Sequence, residues 1–188
     1  MRAKQKKEYW LTLESMFEQF KQAGYHDATY LHREILLNYI VKYNPESVLD
    51  VGCGSCADLW LLKQTLPETK FTGIDRDPSN LDGVTIIKGN IQTELPKLTE
   101  KYDIIYTNGV LMYLTDEDKE AAIDNMLRLA TKAIILSEIN PYDPKPAFDY
   151  DTYFTNKGFR VITHKTPPQV RADTQWSHNG YVYEIVIG

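Results

Sequence analysis

The sequence predicts an α/β fold: a doubly wound, mostly parallel sheet of seven strands. Three observations predict it. Short apolar runs alternate with segments whose apolar residues recur at helical spacing, the signature of strand–helix–strand units. The first run, at residues 48–51, breaks into Gly52-Cys53-Gly54-Ser55-Cys56-Ala57, which reads as a strand, a tight turn and a helix start. The last two runs follow one another with no helical segment between them, so the sheet finishes antiparallel.

The elements can be justified in chain order. Residues 6–22 carry Trp10, Leu13, Phe17 and Phe20 at helical spacing, ending at Gly24. Residues 29–43 repeat the pattern through Leu31, Ile35, Leu36, Tyr39 and Ile40. Both helices precede the glycine turn, so they are expected to cover a bound ligand rather than join the sheet. The first strand is expected at 47–51, a helix at 57–66, and strands at 70–74 and 84–88, joined by a short connection through Pro78 and Gly83. A fourth strand at 102–107, a helix at 117–130 and a fifth strand at 132–138 follow. Beyond Pro141, Pro144 and Pro146, a helix at 150–157 stops at Gly158, and strands at 159–165 and 181–187 close the chain.

The length of 188 residues suits a single domain, divided into an N-terminal helical cover at 1–44 and a core at 45–188. With 43% hydrophobic and 25% charged residues, the composition is that of a globular chain rather than a disordered one. A formal net charge of -5 supplies no general attraction for a polyanion, so no nucleic-acid partner is expected. The basic run Arg2, Lys4, Lys6 and Lys7 reads as a solvated arm. Glu8, Thr12 and Glu14 interrupt the apolar positions after it, which argues against a secretory signal. No run reaches the length of a membrane span, and the expected compartment is the cytoplasm. Cys53 and Cys56 are the only cysteines. Their C-x-x-C spacing at a helix start admits a redox pair, but both also fall inside the glycine turn as small residues. No second Cys or His pair stands at ligand spacing, so no metal is expected.

The glycine turn carries the functional reading. Gly52 and Gly54 let the backbone bend sharply and let a ligand approach it, while the helix that follows offers unpaired N–H groups. Asp75 ends the next strand about 20 residues on, where an acid accepts hydrogen bonds from ribose hydroxyls. A nucleoside-containing cofactor fits, in either of two classes, because Gly52-x-Gly54-x-x-Ala57 also satisfies the dinucleotide fingerprint. Asp50 separates them: a carboxylate at the strand tip repels a pyrophosphate and suits a cofactor bearing an ammonium and a sulfonium.

With Asp50-Val51-Gly52-Cys53-Gly54, the chain resembles the class I S-adenosylmethionine-dependent methyltransferases from about residue 47 to its end. The resemblance implies S-adenosylmethionine as cofactor, a Rossmann-like core and strand order 3-2-1-4-5-7-6. It also implies that Asp50, Gly52, Cys53 and Gly54 form the cofactor turn. Asp75 and Arg76 would lie beside the ribose, Asn90 and Ile91 beside the adenine, and Asn108 beside the methionine portion. Cys56 stands where the family often has a third glycine, and Asn90 where it commonly has an acid. From the N-terminal helices, Tyr30 or Arg33 could hold the cofactor carboxylate by charge-assisted hydrogen bonds.

The fourth strand ends in Thr107-Asn108-Gly109-Val110, not in the Asn/Asp-Pro-Pro-Tyr of enzymes that methylate exocyclic amines and glutamine, so a small-molecule acceptor is expected. Residues 108–115 (NGVLMYLT) and 134–141 (IILSEINP) are similar to small methyltransferases associated with sialic-acid-like sugars, which makes a sugar-related acceptor the leading reading. Tyr113 and Glu138 are the candidate catalytic residues, with His26, His32 and His178 behind them. Tyr113 reads equally well as a packing residue beside Leu111 and Leu114. Two other functions stand beside the enzyme: a non-catalytic S-adenosylmethionine-binding accessory protein and an NAD(P)-binding oxidoreductase.

Overall fold

The computed structural model describes residues 31–139, 148–165 and 180–188. Its seven strands are β1 (Ser47–Val51), β2 (Lys70–Asp75), β3 (Thr85–Lys88), β4 (Tyr102–Asn108), β5 (Ala130–Ile139), β6 (Arg160–Lys165) and β7 (Gly180–Val186). They form one sheet in the order β3-β2-β1-β4-β5-β7-β6. The first five are parallel, and β7 runs antiparallel between β5 and β6. Among the described residues the α-helices are α1 (Leu31–Val41), α2 (Ala57–Thr65), α3 (Ile91–Glu94), α4 (Asp116–Leu129) and α5 (Tyr150–Asn156).

Period-two alternation along the strands sorts the core into two layers. One face of the sheet sends Leu49, Val51, Ile105, Ile134, Leu136, Tyr183 and Ile185 into a cluster with Ile123, Met126 and Leu129 of α4 and Phe154 of α5. The other sends Val48, Ile104, Tyr106, Ala133, Ile135 and Val182 toward Leu36, Leu37 and Ile40 of α1 and Leu59, Leu61 and Leu62 of α2. Leu36, Leu37 and Ile40 are fully buried, and each such side chain contributes roughly 1.5 to 3 kcal/mol. The helix expected at 29–43 therefore packs on the sheet and on α2, which is the alternative to a pure cover. The helix expected at 6–22, with Trp10, and Tyr25 and Tyr30 lie outside the described residues.

Local chemistry explains the element ends. Thr115 caps α4 by accepting from the Asp118 N–H at 3.2 Å, and Asp116, Glu117 and Asp118 place negative charge at its N-terminus. Asp149 caps α5 through the Thr152 N–H at 3.0 Å, and Gly158 ends that helical segment at φ +84. Two short pieces escaped the sequence reading: α3 with the 3-10 turn Leu95–Lys97, and the 3-10 turn Leu111–Tyr113. Pieces of three or four residues span about one turn, too little for a period to register.

Candidate functional site

Ligands of doubly wound sheets bind beyond the carboxyl ends of the parallel strands, and here that end carries the glycine turn between β1 and α2. The turn is anchored to β2: the N–H groups of Gly52 and Cys53 both donate to the Ile74 carbonyl, at 2.7 and 3.0 Å. Gly52 and Gly54 both have positive φ, +88 and +48, but their surroundings differ. A Cβ on Gly52 would lie 2.3 Å from Cγ2 of Val110, so this glycine admits the β4 loop. A Cβ on Gly54 would meet nothing within 4 Å, so this is the open side of the turn. Cys56 is also left-handed, at φ 60, where it precedes α2. Left-handed backbone, more than tight packing, is why glycine suits this position. Its thiol donates to the Ser79 carbonyl at 3.1 Å. Burial pushes both the Cys53 and the Cys56 thiols up, the opposite of a reactive thiolate pair.

Around the turn the structure gathers Asp50, Asp58, Asp75, Tyr106, Arg33 and Asn108. Asp75 accepts from the Gly54 N–H at 3.0 Å and, through its other oxygen, from the Asp77 N–H at 2.8 Å. Each oxygen keeps a second lone pair, so the carboxylate still has acceptors for a ligand's hydroxyls. Asp50 departs from its expected place at the ligand surface: it is 2% exposed, and Tyr106 donates its hydroxyl to it at 2.6 Å. Burial, then the neighbouring Asp58, hold its carboxyl well above the usual range, while Tyr106 and Arg33 pull it down.

Asp58 and Tyr106 are the residues that the sequence reading missed. Tyr106 is register partner to Asp50 across β1 and β4, a relation that follows once those strands are known to be neighbours. Asp58, in the first turn of α2, reads in sequence only as a favourable charge at a helix N-terminus. In the fold its Oδ1 lies 3.2 Å from Arg33 Nε and its Oδ2 accepts from Asn108 Nδ2 at 2.8 Å. Arg33 Nε and Nη1 are buried with no hydrogen-bond partner among the described residues.

At the β4 end, Glu138 of β5 is 1% exposed and engaged by four donors. Its carboxylate accepts from the Thr107 hydroxyl at 2.7 Å and from the N–H groups of Val110, Leu111 and Met112 at 3.2, 3.2 and 3.3 Å. Burial still pushes its carboxyl above the usual range, against these four bonds. The geometry makes Glu138 the anchor of the turn Leu111–Tyr113. Tyr113 stands out from that turn, 80% exposed, which removes the reading in which it packs with Leu111 and Leu114.

The remaining candidates are peripheral. Arg76 and Asn90 are exposed, and Asn90 precedes α3 without a side-chain capping bond. Ile91 is buried. Tyr30, His26 and His178 lie outside the described residues, as does the side chain of His32. Among the described residues, no group of three or more His, Cys, Asp or Glu could hold a metal ion, and no helix is long and apolar enough to cross a membrane.

Residues 49–133 match the family model of a methyltransferase domain. The match covers less than half of the chain, and the sheet order is that of the methyltransferase fold. No curated protein matches the sequence. Solved methyltransferases share the architecture. The plantazolicin methyltransferase BpumL, in complex with a triazolic desmethylPZN analog and S-adenosylhomocysteine, is 14% identical over 98% of this chain and 99% of its own, with a TM-score of 0.63. Magnesium protoporphyrin IX methyltransferase from Synechocystis PCC 6803, with bound S-adenosylmethionine, is 19% identical over 84% of this chain and 80% of its own, TM-score 0.54. The methyltransferase domain of bacterial CtHen1 is 13% identical over 82% and 96%, TM-score 0.59.

The residues of the site fit S-adenosylmethionine on their own chemistry. An open glycine turn, acceptors left on Asp75 and an orphaned guanidinium edge on Arg33 suit, in turn, a nucleoside, its ribose and a carboxylate. Asp58 and Asp75 against one guanidinium leave the site acidic even with the Asp50 carboxyl raised, which suits a cationic cofactor and opposes a pyrophosphate.

Proposed function

We propose that this protein transfers the methyl group of S-adenosylmethionine to a small-molecule acceptor, with the ribose on Asp75, the backbone of Gly52, Cys53 and Gly54 against the nucleoside, and Arg33 and Asn108 at the amino-acid end. The observation that carries the reading is the open space over Gly54 beside the Asp75 carboxylate. Asn90 and Ile91 would flank the adenine, Arg76 the outer side of the ribose, and Tyr30 would reach in from the N-terminal segment. Arg33 belongs to residues 1–44, which we take as a partial cover over the 45–188 core.

The bound cofactor supplies a methyl carbon already activated by its sulfonium, so the chain's own task is to position and to manage a proton. Glu138 fixes the turn that carries Tyr113, and the exposed phenol would orient the acceptor's nucleophile or relay its proton. Two similar sequence stretches make a sugar-related metabolite the first class to assay. The absence of a Pro-Pro-Tyr motif after β4 and the net charge of -5 favour a small molecule over nucleic acid. A cytoplasmic setting agrees with two free, buried cysteines. Neither rival function gains an observation: Cys56 meets the turn's backbone demand, and the acidic site disfavours NAD.

Calorimetry with S-adenosylhomocysteine and with NAD tests the cofactor. Wild type should bind the first and not the second, and Asp75→Asn should weaken binding roughly tenfold or more, since one hydrogen bond to a charged group is worth about 1.5 to 3 kcal/mol. Unchanged affinity in that variant sinks the assignment. Turnover against a metabolite panel tests Tyr113. Tyr113→Phe should lower it by roughly 10²- to 10⁴-fold with cofactor affinity unchanged, and equal turnover would remove the phenol from the chemistry.

A further inference from the structure

We propose that Asp58 is the positioning residue of the cofactor site: one carboxylate oxygen holds Arg33 of α1 and the other holds Asn108 at the end of β4, so that two donors from distant parts of the chain face the amino-acid end of the cofactor together. The inference rests on the S-adenosylmethionine reading and deepens it.

Asp58 is 6% exposed. Its Oδ2 is engaged by Asn108 Nδ2 at 2.8 Å, a charge-assisted bond. Its Oδ1 stands 3.2 Å from Arg33 Nε, yet neither atom completes a hydrogen bond, and Arg33 Nη1 is likewise buried and unpartnered. A salt bridge serving the fold alone would saturate these atoms, because buried donors and acceptors left unmade cost free energy. This pair instead leaves a guanidinium edge and a carboxylate oxygen buried and unpaired side by side. Those groups complement a carboxylate and an ammonium, the two charges of an α-amino acid.

Position along the chain makes the link necessary. Arg33 and Asn108 are 75 residues apart in number, on a helix packed over β5 and β7 and on a strand end. Each long side chain has rotamers that point elsewhere, and fixing them in advance removes that entropy from the binding step. Asp58 sits in the first turn of α2, just after the glycine turn, so the same element that opens the cofactor turn sets the register of both donors.

The test compares S-adenosylhomocysteine with 5′-methylthioadenosine, which keeps the nucleoside and sulfur but lacks the amino-acid end, by calorimetry on the full chain. Asp58→Asn, which keeps the shape and can still accept from Asn108, should weaken S-adenosylhomocysteine about tenfold or more and leave methylthioadenosine within twofold. Arg33→Gln should show the same pattern, and the double variant should lose little beyond either single change, as expected of residues acting as a unit. Methylthioadenosine binding also reports that each variant is folded around its site. Unchanged S-adenosylhomocysteine affinity in Asp58→Asn overturns the assignment, as does parallel weakening of both compounds, which would mean a structural role only. A wild type that binds neither compound overturns the cofactor reading itself.

Discussion

Glu138 shows how a single buried side chain can organise the turn that follows a strand. In the sequence it is an acid at a strand end, and therefore a candidate base. In the fold its two oxygens accept from Thr107 and from three successive backbone N–H groups that would otherwise be buried orphans. Glu138→Gln keeps the size but replaces one oxygen with an NH2 group, which confronts donors with a donor. The variant should lose about 1 to 3 kcal/mol of stability, read as a fall of several degrees in Tm. An unchanged Tm would show that the turn holds without this anchor. Tyr113, the residue directly after Met112, is exposed, so its substitution should leave Tm alone.

At the scale of the element, the glycine turn divides into an inner and an outer half. Gly52 faces Val110 of the β4 loop, and Gly54 faces open space. Gly52→Ala forces a contact at 2.3 Å as well as a left-handed alanine, so stability should fall by roughly 2 to 4 kcal/mol through overpacking and strain together. Gly54→Ala meets no neighbour and carries only the strain of its φ, about 1 to 2 kcal/mol, but it should cut S-adenosylhomocysteine affinity more than Gly52→Ala does. Chemical denaturation and calorimetry on both variants separate the two effects, and the reverse ranking would mean that the ligand does not lie over Gly54. Nothing in the spacing Gly52-x-Gly54 distinguishes these roles. The difference comes from what the β4 loop brings against the turn.

Across the whole molecule, local pattern fixed most of the architecture. Short apolar strands such as β1 and β4, buried along most of their length, and the stop at Gly158 act over a few residues, so composition and period reveal them. The glycine turn and Asp75 were legible for the same reason: positive φ and a strand-end acid are local demands. What the sequence could not express is which distant side chains meet. Tyr106 reaches Asp50 only because β4 lies beside β1, and Arg33 reaches Asp58 only because α1 packs over the sheet against α2. Asp50 itself, a surface charge in the sequence, is buried by those neighbours, which raises its carboxyl and leaves Asp75 as the more exposed acid of the turn. Backbone conformation and periodic burial are properties of short segments, so the sequence by itself determined the fold class and the position of the cofactor turn. Desolvation, ion pairing and hydrogen-bond saturation depend on every chain segment within a few ångströms, so only the tertiary structure decided which acids are buried and paired and which keep free acceptors.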